Sequence, residues 1–300
     1  MKTINIAFKS EQDKIDFVNA CEIDFEKRLD EATKKITSSK IINILLSGPT
    51  CSGKTTTANK IIGDYHEVGK EVTVISIDDF FLERDDGRTI KENEKIDYDS
   101  VDVIDLDLLK ECISKAKPGN NIKVPMFDFI TQSRVGYNAH YITEDEVLLY
   151  EGIQAVYPEV TSLFDDEFIG VFINVNEDVC LNGTLFSRDE IRLVRRLVRD
   201  RKFRGANADF TFYLCETVRE NEDKNIFPNK NICTIQLDSF MGYELFLLKP
   251  YILEVLSEVN ENSTYYDKAK NLIEKFSGLD EIKYEYIPKN SLYTEFLGNK

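Results

Sequence analysis

Gly48-Pro49-Thr50-Cys51-Ser52-Gly53-Lys54-Thr55 satisfies the pattern G-x-x-x-x-G-K-[ST] in full. Gly48 and Gly53 open backbone angles that side chains forbid. The successive N–H groups of Thr50, Cys51, Ser52 and Gly53, and the start of a following helix at Lys54, Thr55 and Thr56, can then converge on phosphates. Lys54 adds a point charge for the outer phosphates. The Thr55 hydroxyl is an oxygen donor of the kind Mg²⁺ takes. A chance glycine turn is the alternative, but the full pattern lies directly after a short apolar run and before a polar–apolar helical stretch, where a nucleoside triphosphate site belongs.

Two acidic positions could complete such a site. The run Leu148-Leu149-Tyr150 ends in Glu151-Gly152, so Glu151 is a candidate partner for the metal. Ser76-Ile77-Asp78-Asp79-Phe80-Phe81 closes another strand candidate. There Asp78 could take or orient the proton of an attacking hydroxyl, although Asp-Asp also serves as a cap or solvated turn. No N-K-x-D or D-x-x-G of a guanine-reading switch protein is present. Leu82–Asp102 is rich in Asp, Glu and Lys and reads as an exposed excursion. Any of its aspartates, Asp99 among them, could hold a ribose diol or simply be solvated.

Val124–Arg134 mixes Phe127 and Phe129 with Gln132 and Arg134. Aromatic faces stack on bases, and Gln132 can both donate and accept. Arg134 could meet phosphate or anchor the loop, and the phenylalanines could equally be core. Between Arg188 and Arg204 lie eight positive and three acidic residues. Arg188, Arg192, Arg195 and Arg199 fall on one helix face, where like charges repel unless an anion is present. A solvated face is the bland reading. A lid whose arginines meet transferred phosphate is the sharper one, and an RNA-binding face is a third.

The elements that would carry these residues alternate. Ile41–Leu46, Glu71–Ile77, Val147–Tyr150, Phe168–Val175 and Ile232–Leu237 read as strands. Lys54–Val68, Ile104–Lys117, Arg188–Arg204, Asn207–Glu220, Met241–Val259 and Tyr266–Phe276 read as helices. That order predicts an α/β fold with a mainly parallel sheet and helices on both faces. Ile15, Phe17, Val18, Cys21, Phe25 and Leu29 recur at helical spacing in the lead-in. A domain over 41–260, with a helical lead-in at 1–40 and a helical extension and tail at 261–300, is expected. The 300 residues are 42% apolar and 31% charged, enough for a sizeable core. A net charge of −16 argues against a surface that grips nucleic acid or anionic lipid. Six cysteines without C-x-x-C spacing, no apolar run long enough to span a membrane, and no signal-peptide core in the lead-in suggest a reduced, cytoplasmic protein.

Taken together, the chain resembles the uridine/cytidine kinase branch of the phosphoribulokinase–uridine kinase family over about residues 40–250. The motifs that carry the resemblance are Gly48–Thr55, Ser76-x-Asp78-Asp79-Phe80, Asp99 after Tyr98, Pro125-x-Phe127-Asp128-Phe129, Glu151-Gly152-Ile153, and Arg192-x-x-Arg195-Arg196-x-x-Arg199-Asp200 with Arg204-Gly205. The tail Ile287–Gly298 is similar to the ending of a bacterial nucleoside-kinase subgroup. The resemblance implies a P-loop kinase fold with an arginine-bearing helical lid. It implies ATP- or GTP-dependent 5′-phosphorylation of a pyrimidine ribonucleoside with Mg²⁺. Asp78 would be the base, Asp99 a ribose ligand, Phe127 and Gln132 base neighbours, and Arg192 a substrate contact. Arg195 and Arg199 would reach phosphates. Phe127 stands where members often carry Tyr and Gln132 where they often carry His, and Leu214-Cys215 lacks a tryptophan common in the subgroup. A kinase for another alcohol, such as a sugar phosphate or pantothenate-like acceptor, a nucleotide sensor without transferase activity, and an RNA-associated ATPase are the alternatives. A homo-oligomer is compatible with the sequence.

Overall fold

The computed structural model describes residues 1–83, 100–165 and 167–298. In chain order the elements are β1 (Lys2–Ile4), α1 (Glu11–Thr37), β2 (Asn43–Ser47), α2 (Lys54–Glu67), β3 (Val72–Ser76), α3 (Leu106–Lys115), β4 (Asn121–Asp128), β5 (Ser133–Tyr141), β6 (Val147–Glu151) and α4 (Pro158–Thr161). They continue with β7 (Ile169–Asn174), β8 (Val179–Leu181), β9 (Thr184–Phe186), α5 (Arg188–Arg204), α6 (Ala208–Asn221), β10 (Ile235–Asp238), α7 (Glu244–Ser257), α8 (Tyr266–Ser277) and α9 (Thr294–Leu297).

Five strands form a parallel sheet in the order β10-β7-β2-β6-β3. β2 lies at its centre, which is why Ile44, Leu45 and Leu46 are all fully buried. Successive side chains alternate between faces. Ile44, Leu46, Leu149, Val171 and Ile173 join the core formed with α1, α2, α5, α7 and the tail. Leu45, Leu148, Tyr150 and Phe172 join a second core with Leu109 of α3, Phe80 and Phe127. The register sets Glu151 beside both Leu46 and Ser76, so β2, β3 and β6 end together on one edge. Open α/β sheets bind ligands at that edge.

The lead-in is longer than its apolar stripe suggested. Ser10 caps α1 by accepting from the Asp13 amide, and Ala32 and Ile36 extend the buried face to Thr37. Val18, Phe25 and Leu29 of α1 share one core with Leu292, Tyr293, Phe296 and Leu297 of the tail. Two features escaped the sequence reading. Val124–Arg134 is no loop: it spans much of an antiparallel hairpin, β4–β5, with a bulge at Met126/Phe127. Pro125 is tolerated because this two-stranded ribbon pairs on one side only. β8 and β9 form a second hairpin over Asn182-Gly183, both at positive φ, and β1 pairs parallel to β8. Among the described residues all six cysteines are free, and no helix is long and apolar enough to cross a membrane.

Candidate active site

β2 feeds the glycine loop at the sheet centre. A Cβ on Gly48 would lie 2.1 Å from the Ile173 carbonyl oxygen, so only glycine lets the loop pass so close to β7. Gly53 has φ 101° and Cys51 φ 58°, the left-handed geometry that turns amides inward. Lys54 Nζ donates to the carbonyls of Gly48 (2.8 Å) and Pro49 (3.3 Å). Ser52 Oγ is buried with no hydrogen-bond partner among the described residues. The Thr57 amide is the first one spent inside the helix, on Gly53 O at 3.1 Å. Those of Lys54, Thr55 and Thr56 therefore remain for other acceptors.

Asp78 stands in the turn that ends β3. Burial, reinforced by the Glu151 carboxylate and opposed by the Lys54 ammonium, pushes its pKa up to about 6. These three groups therefore share one electrostatic environment. Ser76 Oγ donates to Glu151 Oε1 at 3.2 Å and orients it. Asp79 accepts from the Phe127 amide at 3.1 Å; burial raises its pKa as well, with that amide acting in the opposite sense.

The contact through Asp79 pins the β4–β5 hairpin beside the acid. Arg134 completes the pin, donating from Nη2 to Phe81 O (3.1 Å) and to Asp105 Oδ2 (2.8 Å). Of its two expected roles, Arg134 takes the anchoring one. Phe127 is buried edge-on against Phe81, with ring centroids 5.7 Å apart, whereas Phe129 is half exposed. Gln132, at φ 53°, is half-buried in the hairpin turn. Asp99 lies outside the described residues.

The basic helix spans Arg188–Arg204 as its sequence predicts. Ser187 and Glu190 form a capping box, and Gly205 ends it in the left-handed conformation. Its arginine row differs from the expected lid. The anions that relieve its repulsion come from the chain itself. Arg192 is buried and donates to both oxygens of Glu222 at 2.6 Å and to Asp189 at 2.9 Å. Arg199 pairs with Asp200. Arg195 is fully buried, and all five of its N–H groups are taken. They serve Glu244 through Nε and Nη2, Ser239 Oγ and O, and the Cys51 carbonyl at 3.1 Å. This residue therefore lies beneath the glycine loop and holds its backbone; it does not face the space above. Arg196, part of the arginine motif but without a role assigned from the sequence, lines a narrow cleft with Thr50 and Arg192, and its Nη1 has no partner among the described residues. It lies off the Arg188–Arg192–Arg195–Arg199 row of the helix.

No group of three or more His, Cys, Asp or Glu side chains able to hold a metal exists among the described residues. The Thr55 hydroxyl and the oriented Glu151 carboxylate are instead a sparse set of hard oxygens. That donor set fits Mg²⁺, which binds one or two protein oxygens and completes its shell with water and phosphate.

Residues 42–240 match the profile of the Phosphoribulokinase / Uridine kinase family. The chain is 30% identical over 206 residues to a uridine kinase of Ureaplasma parvum serovar 3, covering 67% of this chain and 89% of that one. It is also 30% identical over 192 residues to uridine-cytidine kinase A of Dictyostelium discoideum, covering 63% and 34%. Among solved structures, one described as a possible uridine kinase from Bacillus stearothermophilus is 24% identical over 50% of this chain and 80% of that one, with a TM-score of 0.42.

Proposed function

Because the chain belongs to the phosphoribulokinase/uridine kinase family, we propose that it is an ATP-dependent kinase that phosphorylates the 5′-hydroxyl of a pyrimidine ribonucleoside, uridine or cytidine. The carrying observation is that Lys54 after β2, Asp78 after β3 and Glu151 at the end of β6 are brought to one sheet edge by the register of the three strands.

In this reading the loop amides from Thr50 to Thr56 and the Lys54 ammonium bind the donor's phosphates. Thr55 and Glu151 hold Mg²⁺, which when bound neutralises phosphate charge. Asp78, poised near neutrality by burial, takes the proton of the acceptor hydroxyl. The acceptor oxygen then bonds to the γ-phosphorus as the bond to the β-phosphate oxygen breaks and ADP leaves. Arg196, with a free N–H in a cleft beside Thr50, stabilises the charge on the transferred group. Arg195 acts through Cys51 by fixing the loop, Arg192 borders the same cleft, and Arg199 with Asp200 lies further along α5. Phe127 and Gln132 lie on the acceptor side, and Asp99 keeps the role of ribose ligand that the family resemblance implies. Phe127 has no hydroxyl, so base recognition there rests on contact, and Gln132 supplies hydrogen bonds.

An acceptor panel tests this reading. ADP release is measured with MgATP alone and with uridine, cytidine, adenosine, a sugar phosphate and pantothenate. Stimulation by uridine or cytidine above the rest supports it. Stimulation by another alcohol replaces the acceptor, and ATP binding without any stimulation identifies a sensor.

A further inference from the structure

We propose that Glu295, carried on α9 of the C-terminal tail, occupies the seat of the donor's α-phosphate and closes the donor site until a triphosphate displaces it. This inference rests on the donor reading above. Glu295 Oε1 accepts from the Thr56 amide at 2.6 Å and also from the Thr56 hydroxyl. In a loop of this kind Lys54 addresses the outer phosphates and the Thr55 hydroxyl the metal. The Thr56 amide, the last of the free amides at the start of α2, is then a donor for the inner end of the polyphosphate. A helix N-terminus takes phosphate and carboxylate interchangeably. One N–H cannot serve both at this distance, so the two anions compete.

The contact belongs to a built arrangement. Ser291, Leu292 and Tyr293 on one side and Phe296 and Leu297 on the other are buried, whereas Glu295 between them is partly exposed. Tyr293 donates to Glu244 Oε2 at 2.8 Å. Glu244 pairs with Arg195, and Arg195 grips the loop at Cys51 O. Leu292 Cδ1 sits 2.5 Å from where a Cβ of Gly53 would stand. The tail thus meets the phosphate loop through Leu292, Tyr293 and Glu295. With the backbone of α9 held by its apolar residues, rotation of the Glu295 side chain is enough to vacate the seat. The carboxylate lines a cavity of about 520 Å³ together with Thr55, Asn59, Lys60 and Pro288, which leaves room for the displaced group. A triphosphate brings several phosphates to the full loop and to Lys54, so it displaces the carboxylate where a single phosphate does not.

The test is a calorimetric titration of MgATP into the full chain and into Glu295→Ala and Glu295→Gln at one ionic strength. Loss of a charge-assisted competitor should tighten MgATP binding by about tenfold for Glu295→Ala, with the uncharged, isosteric Glu295→Gln in between. Equal affinity in all three proteins, or weaker binding in the variants, overturns the proposal while leaving the donor site intact. Failure of all three to bind MgATP overturns the donor reading itself and the competition with it.

Discussion

Replacing Asp78 with asparagine should make the protein more stable and nearly inactive at once. Burial and Glu151 raise the Asp78 pKa from an ordinary 3.8 to about 6. At 1.36 kcal/mol per pKa unit, holding this carboxylate ionised above pH 6 costs the folded state about 3 kcal/mol. The sign follows from linkage: the folded chain binds this proton more tightly than the unfolded chain does. The group's effect is therefore harmless below pH 4, grows as pH rises between about 4 and 6, and is constant above that. Asparagine keeps the shape and removes the charge. Urea unfolding without nucleotide should show Asp78→Asn stabilised by roughly 1–3 kcal/mol at pH 8 and by almost nothing near pH 4. The same change removes the proposed proton acceptor, so acceptor-dependent ADP release should fall by about 10²–10⁴. The wild-type rate should itself drop with a one-proton slope below about pH 6. A variant that is destabilised at pH 8, or one that turns over within a few-fold of wild type, would refute the electrostatic argument.

Three further substitutions probe separate parts of the site. Gly48→Ala places a methyl group against the Ile173 carbonyl; thermal melting should show a loss of about 1–3 kcal/mol, and triphosphate binding should vanish. Glu244→Gln leaves the fully buried Arg195 without its counter-charge, and chemical denaturation should report a loss of roughly 3–5 kcal/mol. Arg196→Ala should lower kcat by about 10²-fold or more while KM for ATP moves little, and Arg196→Lys should recover part of it; a pure KM effect would remove Arg196 from the transition state.

How much of this was legible beforehand depended on whether the information was local. The glycine loop is a contiguous pattern with its own backbone logic, and the structure adds only the reason for Gly48, its approach to β7. The parallel sheet was legible because its three inner strands, β7, β2 and β6, are short apolar runs buried on both faces. The span of α5 was legible from its composition, but the direction of its arginines was not. Their partners Glu222 and Glu244 lie 30 and 49 residues away from Arg192 and Arg195, and no spacing rule reaches that far. The β4–β5 hairpin was masked by Pro125 and by polar residues on a ribbon with an open edge. The Asn182-Gly183 turn did carry a hairpin signal, but its flanking strands have three residues each. Glu295 was invisible because a tail carboxylate reveals a partner only once the chain has folded back onto Thr56.

The most direct measurement of the central claim is the stoichiometry of phosphate fate. MgATP and uridine or cytidine are incubated with the full chain, and nucleotide products are quantified by mass spectrometry. Coupled transfer at Asp78 predicts one nucleoside 5′-monophosphate for each ADP, with both products lost together in Asp78→Asn. ADP accumulating with inorganic phosphate and no phosphorylated acceptor would contradict it.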